Sequence, residues 1–470
     1  MLPSDYILQE FGFSPTAGQV KLMKALNDFI LDKNSPRSAF VLKGYAGTGK
    51  TSMVSALVKV LKHFQYKPLM LAPTGRAAKV MSSYALRQAF TIHKIIFKQT
   101  EDPNTAQLKF KRQKNYYTNT LFIVDEASMI NDAQEYGSNG LLSELISFVY
   151  EVPEAGNKLM LVGDIAQLPP VHQELSPALD PVYLESQFKL SLGVQELTQV
   201  VRQANDSGIL LNATGIREVL SSQQADIKLQ TKGFKDVFRM TSEKLEDGLL
   251  YGYDKFGIEN TVIICRSNRN ATMYNEYIRR RIHFREEEIE VGDFLMIVRN
   301  NYHWLPEDSP AGFLANGEFV EVTRVRGIEE TLGFRFADLT IRLLDYDNHP
   351  SIDVKVHLNT LHSYTPNLNR EENMQLYEEV VQQYDDVETK AKRNKMIRQD
   401  PYLNALQVKF AYALTCHKSQ GGQWDAVFVD QGFLREDAID TDFIRWLYTA
   451  VTRAKSELFF MNFNQRFFGQ

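Results

Sequence analysis

Lys50 and Thr51 close the run GYAGTGKT at 44–51, which fits the spacing G-x-x-x-x-G-K-[ST]. Glycines there let successive backbone N–H groups curl around phosphate oxygens, and a helix starting just afterwards aims its positive end at the same charge. Gly44, Ala46, Gly47, Thr48 and Gly49 would form the cradle, with Ser52 in the first helical turn. Lys50 would reach the β- and γ-phosphates of ATP, and the Thr51 hydroxyl would ligate Mg²⁺. Further on, LFIVDEAS (121–128) ends an apolar run in Asp125 and Glu126. That order suits a metal-holding carboxylate followed by a base that orients water. LVGDIAQLPPV (161–171) ends a third run in a polar turn, with Asp164 and Gln167 facing the same phosphates. An amide both donates and accepts, so Gln167 suits the sensing of a γ-phosphate. Gln19, behind Phe13-Ser14-Pro15-Thr16, either reads adenine through its amide or faces solvent on a helix.

The elements that must hold these groups are legible as short apolar runs: Ala39–Leu42, Leu69–Leu71, Leu121–Val124 and Leu159–Val162. Runs that are solidly apolar rather than alternating are expected of parallel strands buried on both faces. Thr51–Phe64 and Gly75–Leu86 carry helical spacing between them, which gives a P-loop α/β layout with crossover helices. A second set, Thr261–Cys265, Ala426–Val429 and Leu458–Met461, predicts a second α/β domain. Between its parts lies alternating, Gly-punctuated sequence (292–300, 317–326, 334–343, 351–358), read as a small antiparallel barrel. A charged helical stretch, Arg370–Arg398, follows it. The fold class is therefore α/β: two P-loop-type domains with parallel sheets, a hairpin inserted in the first, and a barrel plus helical arm inserted in the second. The expected division is 1–96 and 119–195 for the first domain, 97–118 for the hairpin, 196–300 and 405–470 for the second domain, and 301–404 for the barrel and arm.

A chain of 470 residues has room for about three domains. Hydrophobic residues at 44% and charged residues at 24% exclude a wholly disordered or fibrous chain. No stretch approaches ~18 uninterrupted apolar residues, and the N-terminus lacks a basic-then-apolar secretory pattern. Cys265 and Cys416 are the two cysteines, too few for a disulfide framework or a cysteine-based zinc site. A reducing, cytoplasmic setting is expected, with no membrane association. The net charge of −5 excludes a histone-like coat protein, so any polyanion must be held by a locally basic groove.

Taken together, the motifs resemble those of superfamily 1 helicases, in wording closest to the RecD-like and Dda-like members of the 5′→3′ branch. APTGRAAKVM (72–81), FTIHK (90–94), DEAS (125–128), GDIAQLPPV (163–171), LTQVVRQA (197–204), ALTCHKSQGGQWDAV (413–427) and YTAVTRAKSELFF (448–460) follow the family's order from motif Ia to motif VI. The resemblance runs from about residue 13 to 463 and implies two RecA-like domains with an SH3-like accessory barrel. It implies an ATP-dependent helicase that moves 5′→3′ on single-stranded DNA and opens duplex junctions. RNA-acting relatives share the vocabulary, so an RNA or RNA–DNA motor, or a motor subunit of a larger repair complex, stands as the alternative. The implied partners are single-stranded and junction DNA, with single-strand-binding or repair proteins besides, and the chain is expected to be a monomer.

By the same resemblance, Lys50, Asp125, Glu126 and Gln167 serve catalysis, with Thr51 and Asp125 on the metal. Arg202 and Arg453 resemble arginine fingers donated by the second domain. A guanidinium fork neutralises the charge of a loose phosphoryl transition state without needing a proton. Gly421 and Gln423 stand where relatives hold the ribose, although an acid is usual at the second position and a neutral amide binds a hydroxyl more weakly. Thr74, Arg76, Thr91, His93, Lys94, Thr415, His417 and Lys418 fall at positions that touch the bound strand in the family. Phe110, set among Lys109, Lys111 and Arg112, either tips a duplex-splitting wedge or belongs to a solvated basic loop. Tyr302, His303 and Trp304 either close over the strand or pack on the barrel, with packing favoured. The run IRRRIHFR (278–285) reads as the exposed face of a helix end.

Overall fold

The computed structural model describes residues 1–101, 108–133, 139–171, 173–201, 207–222, 226–305, 313–344, 346, 350–434 and 439–468, with the backbone alone described at 99–101 and 108–110. In chain order the first part contributes β1 (Ser38–Gly44), β2 (Lys67–Ala72), β3 (Ala89–Thr91), β4 (Phe97–Glu101), β5 (Leu108–Arg112), β6 (Thr120–Val124), β7 (Lys158–Gly163) and β8 (Ser191–Leu197). All but β4 and β5 form one parallel sheet in the order β3-β2-β6-β7-β1-β8. The apolar runs are central because both faces are covered. Ile7, Leu22, Val54 and Leu57 pack on one side, and Ile92, Leu145 and Ile146 on the other. This order puts β1, with the phosphate-type loop at its end, beside β7, and β6 with Asp125 on the far side of β7. Ligands of such sheets bind at the carboxyl edge, where these turns converge.

The second part supplies β9 (Val237–Met240), β10 (Thr261–Cys265), β11 (Phe294–Ile297), β12 (Phe319–Thr331), β13 (Phe334–Leu343), β14 (Ser351–His357), β15 (Leu406–Phe410), β16 (Ala413–Thr415), β17 (Trp424–Asp430) and β18 (Ala454–Met461). A second parallel sheet runs β16-β10-β17-β18-β9, and β11 to β15 close a barrel. The chain thus has two RecA-like P-loop domains with an SH3-like barrel inserted in the second. β4 and β5 form the antiparallel hairpin, with Gln99 opposite Phe110.

The barrel strands extend beyond 301–404 on both sides. Leu295 pairs with Phe410, and Leu295, Leu406 and Val408 are all fully buried, so β11 and β15 belong to its wall. β8 likewise carries the first sheet to Leu197. The helical arm is two helices, Arg370–Gln383 and Lys390–Arg398. Leu376 and Val380 pin the first of them on Phe334 and Phe336 of the barrel, while its acidic residues stay in water. Trp304 packs as favoured, its Nε1 donating to the Asn404 carbonyl at 2.7 Å. Among the described residues no helix is long and apolar enough to cross a membrane.

The 278–285 run is an exposed basic face only in part: Arg280 and Arg281 are exposed, whereas Arg279 and Arg285 turn inward. Arg279 is 5% exposed and forms a two-pronged pair with Asp293, its Nε and Nη2 donating at 2.8 and 2.9 Å. Arg285 Nη1 donates to the same carboxylate at 2.5 Å, and Asp293 is 0% exposed. Two arginines are drawn inward because a buried carboxylate needs compensating charge and donors. Replacing Asp293 with Ala should cost about 3–5 kcal/mol of stability, because it strands two desolvated guanidinium groups. Urea denaturation measures this, and a loss below ~1 kcal/mol would show that the arginines simply turn to solvent.

Candidate nucleotide cleft and strand groove

The loop after β1 has the backbone its glycines permit, with Gly47 at φ 73° and Gly49 at φ 82°. A Cβ on Gly44 would lie 3.0 Å from Thr48 Oγ1 and 3.1 Å from the Lys50 side chain, so the cradle closes only around glycine. Lys50 Nζ donates to the carbonyls of Gly44 and Tyr45 at 2.8 and 2.9 Å. Thr51, exposed, and Ser52 open the helix Lys50–Val60. The second domain braces this loop, since Val201 N–H donates to the Gly47 carbonyl at 3.0 Å. Gln19 is almost wholly buried against the loop. Its Nε2 donates to the Thr48 carbonyl at 3.0 Å and its Oε1 accepts from Thr16 N–H at 2.9 Å. Its amide therefore braces the loop and closes a helix cap, which neither sequence reading anticipated.

Asp125 Oδ1 accepts from Glu126 N–H at 2.8 Å, and its Oδ2 accepts from the Tyr84 hydroxyl at 2.5 Å. Tyr84 is thus a supporting residue that the motifs did not flag. Glu126 holds φ at 51°, a left-handed conformation that costs a glutamate energy and fixes where its carboxylate points. Burial pushes the Glu126 carboxyl up, while Arg453 and Lys50 pull it back down. Across the cleft, Arg453 Nη1 stands 3.7 Å from Glu126 Oε1. Arg453 is 3% exposed, and its remaining N–H groups are anchored on the Thr449 and Gly422 carbonyls and Thr452 Oγ1. Arg202 lies outside the described residues.

Gln167 is buried, and its Oε1 has no hydrogen-bond partner among the described residues. An orphaned buried acceptor fits a site completed by a donor such as water. Among the described residues no three acidic, His or Cys side chains cluster as a metal cage. Mg²⁺ is commonly held by one or two protein ligands plus substrate phosphates, which Thr51 and Asp125 can supply.

A groove of about 1060 Å³ runs between the first domain and the barrel. Its walls bring together Thr74, Arg76, Thr91, His93, His417 and Lys418 from the expected strand contacts. The structure adds Asn131, Arg299, Asn300 and Phe313, from loops whose types alone carried no strong signal, and places Tyr302 beside them. Tyr302 both packs and lines the groove, with its ring 4.5 Å from that of Phe313. Thr74 and Thr91 also cap helices, accepting from Ala77 N–H at 3.2 Å and Lys94 N–H at 3.3 Å. Thr415 lines a small side chamber that meets the groove at Lys418. Lys94 is not on the groove wall; its ammonium lies 5.4 Å from the Phe90 ring centroid. The Phe110 side chain lies outside the description. Burial lowers His93 to about 4, so at neutral pH it is an uncharged donor and acceptor.

Arg76 lines the groove without offering a free charge. Its guanidinium sits in the corner between Phe319 of the barrel at 4.5 Å and Trp424 of the second domain at 4.3 Å, two rings tilted 70° to each other. Its Nη2 also donates to the Gln423 carbonyl at 3.4 Å. Gly421 sits at the same seam, where a Cβ would come within 2.7 Å of Ala77. The two positions expected at the ribose therefore lie between cleft and groove, one residue either side of Gly422, whose carbonyl anchors Arg453.

Two family models match the chain: an AAA domain over residues 16–225 and a UvrD-like helicase C-terminal domain over 410–461. Uncharacterized protein R530 of Acanthamoeba polyphaga mimivirus is 26% identical over 90% of this chain and 95% of its own length. The ATP-dependent RecD2 DNA helicase of Deinococcus radiodurans is 30% identical over 40% of this chain, which spans 23% of that protein. The ATP-dependent DNA helicase dda of Enterobacteria phage T4 is 22% identical over 89% of this chain and 93% of its own.

Burial lowers Lys418 to about 8, and a strand phosphate requires its charged form. Affinity for single-stranded DNA should therefore hold from pH 7 to 8 and fall roughly tenfold by pH 9, as binding comes to require proton uptake. Lys418→Arg should flatten the profile, because a guanidinium stays charged. An equally steep fall in that variant would remove Lys418 from the contact.

Proposed function

We propose that the chain is a superfamily 1 helicase, an ATP-driven motor travelling 5′→3′ along single-stranded DNA and separating duplex at junctions. The observation that carries this reading is Arg453 reaching Glu126 across a cleft whose two walls also border the groove. A strand in the groove and a nucleotide in the cleft would then be clasped by the same relative motion of the domains.

In this reading ATP binds at the loop 44–51, and Lys50 leaves its carbonyl partners for the β- and γ-phosphates. Mg²⁺, held by Thr51 and Asp125, would neutralise phosphate charge. Glu126 orients the attacking water, and Gln167 contacts the γ-phosphate. Arg453, and Arg202 by resemblance, stabilise charge on the transferred phosphoryl group. Because Arg453 comes from the second domain, hydrolysis is conditional on closure. The threonines, His93, His417 and Lys418 hold backbone phosphates, while Tyr302 and Phe313 offer stacking faces indifferent to sequence. The hairpin of β4 and β5 serves as the wedge, braced on the side of the barrel and its arm.

The division that accompanies this reading places the first ATPase domain at 1–96 and 119–195, the second at 196–300 and 405–470, the wedge hairpin at 97–118 and the barrel with its arm at 301–404, the barrel strands β11 and β15 reaching past those bounds. The motor acts as a monomer in the cytoplasm, alongside single-strand-binding or repair proteins.

Partial duplexes with a single 5′ or 3′ tail, in DNA and in RNA, test the proposal. Strand separation is expected on 5′-tailed DNA alone; a preference for the 3′ tail or for RNA would overturn the polarity or the substrate. Lys50→Ala should abolish ATP turnover while strand affinity stays within a few-fold. Arg453→Ala should lower kcat by ~10³, and a loss under about tenfold would make it structural.

A further inference from the structure

Tyr448 stands on the helix Thr441–Val451 of the second domain and is 1% exposed. Its hydroxyl accepts from the Ala46 N–H of the phosphate loop at 2.8 Å and donates to Asp164 Oδ2 at 2.7 Å. Both partners belong to the first domain, so one phenol is bonded to two separate walls of the nucleotide cleft. Its neighbour reinforces the grip: Thr449 Oγ1 accepts from Leu168 N–H at 2.8 Å, while Gln420 Nε2 donates to the Leu168 carbonyl at 2.7 Å. Leu168 directly follows Gln167. The same helix leads to Arg453, whose Nε is tied to the Thr449 carbonyl at 3.1 Å.

Burial pushes the Tyr448 phenol well above its ordinary range, so it keeps its proton and remains a donor to Asp164. A hydrogen bond to a buried carboxylate is among the stronger ones and is directional.

We infer that Tyr448 is a positioning residue for ATP hydrolysis, its hydroxyl setting the register between the phosphate loop, the Asp164 turn and the helix that delivers Arg453. This rests on the proposed ATPase reading and adds to it the residue that aligns the two halves of the cleft.

Strand-stimulated ATPase of the full chain should show Tyr448→Phe lowering kcat by roughly 10- to 100-fold, the scale of one hydrogen bond to a charged group. Its KM for ATP should stay within threefold, since the lost hydroxyl aligns rather than binds. Asp164→Asn removes the other end of the same bond, so adding Tyr448→Phe to it should cost less than a further twofold. Thermal melts check that each variant is folded, and Asp164→Asn alone should give a kcat loss of similar size. The inference is overturned by a Tyr448→Phe kcat within twofold of the parent, by a rise in KM at unchanged kcat, or by losses that multiply in the double variant. Lys50→Ala, run in parallel, separates the two levels: if the parent's turnover survives it, the ATPase site itself is wrong and Tyr448 is not at issue.

Discussion

The fold depends on burying one positive charge at a boundary between two domains. Arg453 has almost no contact with water, and the carboxylate nearest to it, Glu126, belongs to the other domain. Neither group is cheap to desolvate alone, and each compensates the other only while the domains face one another. Everything around the pair is arranged to hold that meeting: three anchors on the guanidinium, a left-handed backbone at Glu126, and Tyr84 on the neighbouring Asp125. The cleft is thus defined less by its shape than by an electrostatic debt that either domain would carry if separated.

The parallel sheets were legible because their central strands are buried on both faces and so read as unbroken apolar runs. β8, with Gln195 and Glu196 at the sheet edge, carries no such run, and β3 and β16 are three residues long. The barrel's closing strand was hidden for a different reason. Gln407 and Lys409 alternate with its apolar residues as if they faced water, yet both are buried under the segment 359–369. Gln407 Oε1 accepts from Leu368 N–H, and Lys409 Nζ donates to the Ser363 carbonyl. Burial of a polar strand face depends on what tertiary contact covers it, and local periodicity does not record that.

Within the site, the phosphate-type loop and the acids after β6 could be named from sequence because phosphate chemistry demands particular types at fixed spacing. The groups that meet other groups could not. Ala46 and Tyr448 are 402 positions apart, and Leu168 and Gln420 are 252 apart, so no window of sequence contains either pair. Arg76 illustrates the same limit from the other side. It lines the groove, but the two rings that occupy its charge come from separate parts of the chain.

That aromatic corner joins three bodies at one point: the helix Gly75–Ala85, the barrel and the second domain. A cation held against ring faces has a broad energy well, unlike a hydrogen bond with its narrow angular range. Because the two rings are tilted 70° to each other, a shift along the line where their faces meet costs little, whereas a shift across either face loses one of the two contacts. The joint behaves as a keyway, which leaves the bodies one direction of easy travel against one another.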